Sequence, residues 1–123
     1  MNEEYMIQTA FVYWFRHNYP TLLLTIAPSG MKLPISVATK FKKMGYSRGT
    51  PDVMILEPKI GKNEAGTEVL FSGLFIEFKS KRGRLTPEQV IWLGALEARG
   101  YIVHVCRTCE DAIIAVEKYL TNK

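Results

Sequence analysis

Cysteine is almost missing from this chain: it has two, Cys106 and Cys109, among 123 residues. That excludes a disulfide framework, and a four-thiolate zinc site would need a second pair. The two histidines, His17 and His104, repeat no ligand spacing. A Cys-x-x-Cys pair suits redox chemistry where a helix begins, and Cys109 can sit there. Cys106, however, continues the apolar run Tyr101-Ile102-Val103-His104-Val105 and reads as a strand residue. Long hydrophobic runs are also lacking, since none approaches the ~20 residues needed to cross a bilayer. The opening Met1-Asn2-Glu3-Glu4 is acidic where a secretory signal is basic, so an intracellular, cytoplasmic location is expected. No repeat, linker or low-complexity tract divides the chain, and its length fits one domain spanning 1–123.

What is present is the balance of a folded protein, 47% hydrophobic and 23% charged. The net charge of +4 permits a polyanionic partner without requiring one. Basic residues gather in two stretches: Lys40, Lys42, Lys43 and Arg48, then Lys79, Lys81, Arg82 and Arg84. Such clusters are either solvated faces or DNA-binding surfaces.

Periodicity predicts a helix over residues 3–18, with Ile7, Ala10, Phe11 and Trp14 on its apolar stripe and Pro20 beyond its end. Residues 21–26 read as a strand closed by Pro28-Ser29-Gly30, and 36–44 as a short helix stopped by Gly45. Pro51 biases Thr50 toward extended backbone, so a strand starts near Asp52 and ends before Pro58. Residues 59–72 read as a flexible connection or a hairpin arm. Leu74 to Lys79 is a second strand, apolar enough to lie inside the sheet and antiparallel to the first. Thr86 (cap), Pro87 (first helical position) and Gln89 (three after the cap) open a helix that Gly100 closes. A strand over 101–107 follows, then a helix opened by Thr108 and Asp111 and running to about Leu120. Strand, helix, strand implies a right-handed crossover and a parallel pair. The fold class is α/β with a mixed sheet.

Alternation along a strand sends Glu77 and Lys79 to one face and Phe78, with Ile76, to the other. Taken alone, Glu-x-Lys describes a surface ion pair as well as a site. Asp52 changes the weighing, because antiparallel pairing of the two strands brings it beside Glu77 and Lys79. Two carboxylates suit a hard divalent cation, Mg²⁺ or Mn²⁺. A lysine beside them orients water and offsets charge developing on a phosphate.

Pro51-Asp52 followed by Glu77-x-Lys79 resembles the PD-(D/E)XK nuclease motif. Glu4 with Gln8, Gly49-x-Pro51-Asp52, Phe75-Ile76-Glu77-Phe78-Lys79, Leu85-Thr86-x-x-Gln89 and Gly100-Tyr101 together resemble the virus-type replication-repair nuclease domain, VRR-NUC, over nearly the whole chain. Pro28-Ser29-Gly30 departs from the Asn-Gly common there. The resemblance implies a restriction-endonuclease-like mixed sheet flanked by helices, and a metal-dependent endonuclease acting on branched DNA such as a Holliday junction. It implies metal ligation by Asp52, Glu77 and the backbone carbonyl of Phe78, with Glu4 (or Glu3) from the first helix. Lys79 would position or activate the attacking water. Gln89 is counted with the catalytic site and also reads as half of a capping box. A stand-alone domain of this kind implies a homodimer acting in replication, recombination or repair, of phage or bacterial type, with no organic cofactor. Two other readings compete: a catalytically idle DNA-binding module on the same fold, and a redox or metal-sensing protein using Cys106 and Cys109.

Overall fold

The computed structural model describes residues 2–28 and 33–121. The turn expected at Pro28-Ser29-Gly30 falls, at Ser29 and Gly30, outside the described residues. Helix α1 spans Glu3–Asn18, its first N–H groups capped by Asn2, whose side-chain oxygen accepts from the Tyr5 N–H at 3.1 Å. Glu3 and Glu4 in its first turn, and Arg16 and His17 in its last, suit the helix dipole. The buried pair is Phe11 and Phe15. Ala10, expected inside, is exposed. The reason is alignment: Phe11 and Phe15 stack one turn apart, and Phe11 meets the Phe78 ring at 5.6 Å.

The remaining elements are β1 (Leu24–Ile26), α2 (Ile35–Lys43), β2 (Val53–Ile55), β3 (Lys59–Lys62), β4 (Glu68–Phe71), β5 (Leu74–Phe78), α3 (Pro87–Glu97), β6 (Ile102–Cys106) and α4 (Cys109–Leu120). β1 starts later than its sequence suggests, because the Leu22 N–H donates to the Tyr19 carbonyl at 3.2 Å and keeps the chain turning after the helix. The segment 59–72 resolves into a hairpin, β3 with β4, standing as its own two-stranded sheet.

The main sheet has the order β1-β2-β5-β6. Its first three strands are antiparallel neighbours, and β6 lies parallel to β5. The parallel pair requires a crossover, which α3 supplies, as the strand-helix-strand order predicted. Both inner strands are apolar for that reason: Val53, Ile55, Leu74, Ile76 and Phe78 are all fully buried. α1 and α4 cover one face and close over Ile76 and Phe78 with Phe11, Phe15, Ala112 and Val116. Each such side chain contributes roughly 1.5–3 kcal/mol by leaving water. α3 covers the other face, where Phe75 packs edge-on to Tyr101. No helix among the described residues is long and apolar enough to cross a membrane.

Candidate active site

The site begins with a register. Val53 pairs with Ile76, so one step further Asp52 stands opposite Glu77 at the end where β2 begins and β5 finishes. The two carboxylates share the α3 face, while Ile76 and Phe78 fill the other. Among the described residues, Asp52, Glu77 and Lys79 are the buried charged ones, at 7%, 2% and 8% exposure. Burial of three ionisable groups within one strand end is costly unless each finds a partner.

Asp52 finds one in the backbone. Its Oδ2 accepts from the Phe78 N–H at 2.7 Å. That bond explains Pro51. Extending the antiparallel register sets Pro51 opposite Phe78, and proline has no N–H to return to the Phe78 carbonyl. The aspartate thus occupies the donor of Phe78, and its neighbouring proline leaves the acceptor free of the ladder.

Glu77 is half satisfied. Its Oε2 accepts from the Gln89 amide at 2.9 Å, whereas Oε1 is buried with no hydrogen-bond partner. Burial, then the charge of Asp52, pushes Glu77 up to about 9. Burial also raises Asp52, against the Phe78 N–H that favours its charged form. A proton retained on Glu77 lets it donate toward Asp52, which is why the pairing raises one group and lowers the other. The Lys79 charge favours ionisation of both, and that of Glu4 opposes it.

Gln89 serves two neighbours at once. Its Oε1 accepts from the Thr86 N–H at 2.8 Å, completing a capping box in which the Gln89 N–H donates to the Thr86 hydroxyl. The same amide's nitrogen holds Glu77. Gly49 fixes the approach of the preceding loop. Its φ is +94°, and a Cβ there would lie 2.5 Å from the carbonyl carbon of Glu88. Only glycine lets the strand entering Asp52 press against the first turn of α3.

Glu4 and Glu3 hold the loop after β5, and the charge of Glu4 also reaches Asp52 and Glu77. Glu4 accepts from the Ser80 N–H and Glu3 from the Lys81 N–H, each at 3.2 Å. Among the described residues no group of three or more His, Cys, Asp or Glu side chains is gathered for a metal. Of the eight basic residues named from the sequence, Lys79 is buried at the site and the other seven divide between two places. Lys40, Lys42, Lys43 and Arg48 lie on α2 and the loop after it, and Lys81, Arg82 and Arg84 on the loop after β5; all are exposed.

Sequence reasoning missed Arg107. Its guanidinium donates to the carbonyls of Ser80 at 2.7 Å and Gly83 at 2.6 Å, so it clamps the carbonyl side of the loop whose N–H groups Glu3 and Glu4 hold. The available signal was positional: Arg107 follows the end of an apolar strand as Lys79 does, one step past the pair Phe78 and Cys106. Burial raises Cys109 and pushes Cys106 up to about 12, opposite to the direction a reactive thiol needs.

Residues 2–109 match the family model of the VRR-NUC domain. The chain belongs to the VRR-NUC family. A solved structure described as a VRR_NUC domain protein has the same fold, with a TM-score of 0.70 at 24% identity over 98% of this chain and 90% of that one. No curated protein matches. The fold is therefore restriction-endonuclease-like, and a VRR-NUC domain is a nuclease domain of the PD-(D/E)XK type, with DNA as its substrate class.

Nucleases of this type generally use divalent metals, and the VRR-NUC donor set here fits one. Two carboxylates and a carbonyl freed from the sheet are all oxygen donors, as hard cations prefer. The orphaned Glu77 Oε1 is the decisive atom, because it is stabilised either by keeping a proton or by a cation beside it.

Proposed function

We propose that this VRR-NUC protein is a divalent-metal-dependent endodeoxyribonuclease that acts on branched DNA as a homodimer. The observation that carries the catalytic part is the unpartnered, buried Oε1 of Glu77, on a carboxylate coupled to Asp52, whose Oδ2 is held by the Phe78 N–H. Asp52, Glu77 and the Phe78 carbonyl, with Glu4 from α1, are the groups that would hold Mg²⁺ or Mn²⁺. When bound, such an ion polarises a phosphoryl oxygen and acidifies water.

The chain's own residues do the rest. The Phe78 N–H holds Asp52 in position through its Oδ2. Gln89 orients Glu77 through Oε2 and leaves Oε1 for the cation. Lys79 lies on the same strand face two residues on, where its ammonium orients the attacking water and offsets charge developing on the phosphate. Glu4 and Glu3, through the backbone of Ser80 and Lys81, and Arg107 through the carbonyls, hold the loop that carries Lys81, Arg82 and Arg84. Those cations, with Arg48 and the α2 lysines, face the flanking phosphates.

A two-fold dimer places two cutting centres on one substrate, which suits a four-way junction. Support for a second copy comes from the open edge of the sheet. β1 is an edge strand, and Leu23 just before it and Ile26 at its end are 65% and 50% exposed.

The test is a cleavage panel of linear, hairpin, flap and four-way DNA with Mg²⁺, Mn²⁺ or chelator, alongside sedimentation. Metal-dependent products, most abundant from the branched substrates, are the expected outcome. Binding without products in any metal would turn the assignment toward an idle DNA-binding module.

A further inference from the structure

A second cluster of positive charge lies at the other end of the sheet. Lys59 and Lys62 of the hairpin, His104 of β6, and Lys118 and Tyr119 of α4 line a cavity of about 190 Å³ open to solvent. Ile102, also in its wall, pairs with Leu74 at the start of β5, whereas Glu77 lies near the end of that strand. The cavity is thus separate from the carboxylate pair. It assembles residues spread over 60 positions of sequence, so no linear charge cluster announces it.

No carboxylate is among the residues that line this cavity, although the charge of Glu57 reaches Tyr119 and that of Glu97 reaches His104. Glu68 stands opposite Lys62 across the hairpin, yet among the described residues no ion pair joins Lys59, Lys62 or Lys118. Lys59 instead lies over the Tyr119 ring at 5.1 Å, and the Tyr119 hydroxyl is committed to the Glu57 carbonyl at 2.7 Å. That cation-π contact fixes one ammonium at the cavity wall. The Lys118 charge reaches His104 and, after burial, lowers it, against a smaller opposing influence of Glu97. Like charges converging on one concavity repel unless an anion sits among them.

We propose that this cavity is a second phosphate-binding site, remote from the cut, that takes a backbone phosphate of the DNA. The inference rests on the nuclease reading for its choice of DNA over other phosphates. A contact so far from the scissile bond touches a neighbouring turn or a separate arm of the substrate. Lys62 and Lys118 supply the exposed charges, while Lys59 is the fixed donor.

The test uses the Asp52→Ala protein, to read binding without cutting, with and without Lys62→Gln and Lys118→Gln together. Fluorescence anisotropy with duplex and four-way DNA across a salt series gives the slope of log affinity against log salt. The double change should reduce that slope by roughly 1 to 2, uniformly across DNA sequences. Lys62→Arg with Lys118→Arg should restore it. In parallel, inorganic phosphate should shift the His104 ring resonances of the parent and not of the double variant.

An unchanged slope in a folded double variant overturns the proposal. Phosphate shifts at His104 with DNA binding unaltered also overturn it, because the cavity then serves a small anion. Failure of the nuclease reading is a distinct result: intact protein that binds with the expected slope but never cuts.

Discussion

The two faces of β5 come from five consecutive residues and are built on opposite rules. On the α1/α4 side, Ile76 and Phe78 are fully buried among Phe11, Phe15 and Val116, so every group there lowers the free energy of the fold. On the α3 side, Glu77 is nearly as buried but keeps one oxygen without a partner, and Asp52 is raised by the same burial. The first face holds the second in place. Destabilising charges persist only where surrounding packing over-determines their positions, and that combination supports the proposed site.

The largest expected effects separate these faces cleanly. Asp52→Asn should cut cleavage about 10³-fold or more. Its thermal stability without metal should hold or rise, because a raised carboxyl is replaced by a neutral amide. Phe78→Ala, one position from Glu77, should do the reverse. It opens a cavity against Phe11 and costs about 3–5 kcal/mol in denaturant unfolding. Comparable stability loss in both variants would break the division of labour.

A pH series sharpens it. Glu77 moves from an ordinary 4.5 to about 9 in the folded chain, first through burial and then through the Asp52 charge. The folded state therefore keeps a proton that the unfolded state gives up. Glu77 favours folding fully below pH 4.5, and that contribution is lost progressively as pH climbs toward about 9. Chelated protein should lose stability over this window, and Glu77→Gln should flatten the slope. Added Mn²⁺ should stabilise the parent more at the upper end, since the bound ion replaces the proton.

A smaller effect is expected where the faces are tied together. Gly49→Ala introduces a Cβ into the backbone of Glu88 at a positive φ, which should cost about 1–3 kcal/mol. It also displaces the chain entering Asp52 from the first turn of α3, so activity should fall with it. A thermal melt and a cleavage rate on the same preparation check both halves.

Elements with local punctuation are legible in the sequence itself. Thr86-Pro87 with Gln89 writes a helix start in four residues, and the observed helix begins at Pro87. The strand pairing of Asp52 with Glu77 followed from two apolar runs and a turn-rich link, and of the two readings of that link, flexible connection or hairpin arm, the hairpin is the one observed. Tertiary choices were less legible. Ala10 and Phe15 fit the same helical period as Phe11, and only the position of Phe78 decides which of them faces inward. Arg107 and the Lys59, Lys62, Lys118 cavity depend on strands and helices meeting far apart in sequence. Gly49 looked like part of a motif; its reason is the backbone of Glu88, 39 positions on.

Gln89 tests whether one side chain truly belongs to both the scaffold and the site. As a capping residue it accepts from the Thr86 N–H, and as a site residue it donates to Glu77. Gln89→Ala removes both functions, so it should cost about 1 kcal/mol of stability and about 10–100-fold in activity. Gln89→Glu keeps an acceptor for Thr86 and should preserve the cap. It also sets a third carboxylate beside Glu77 where a donor stood, so cleavage should fall further than in the alanine variant. If the glutamate protein cuts as well as the parent, the bond to Glu77 has no bearing on catalysis and Gln89 belongs to the helix alone.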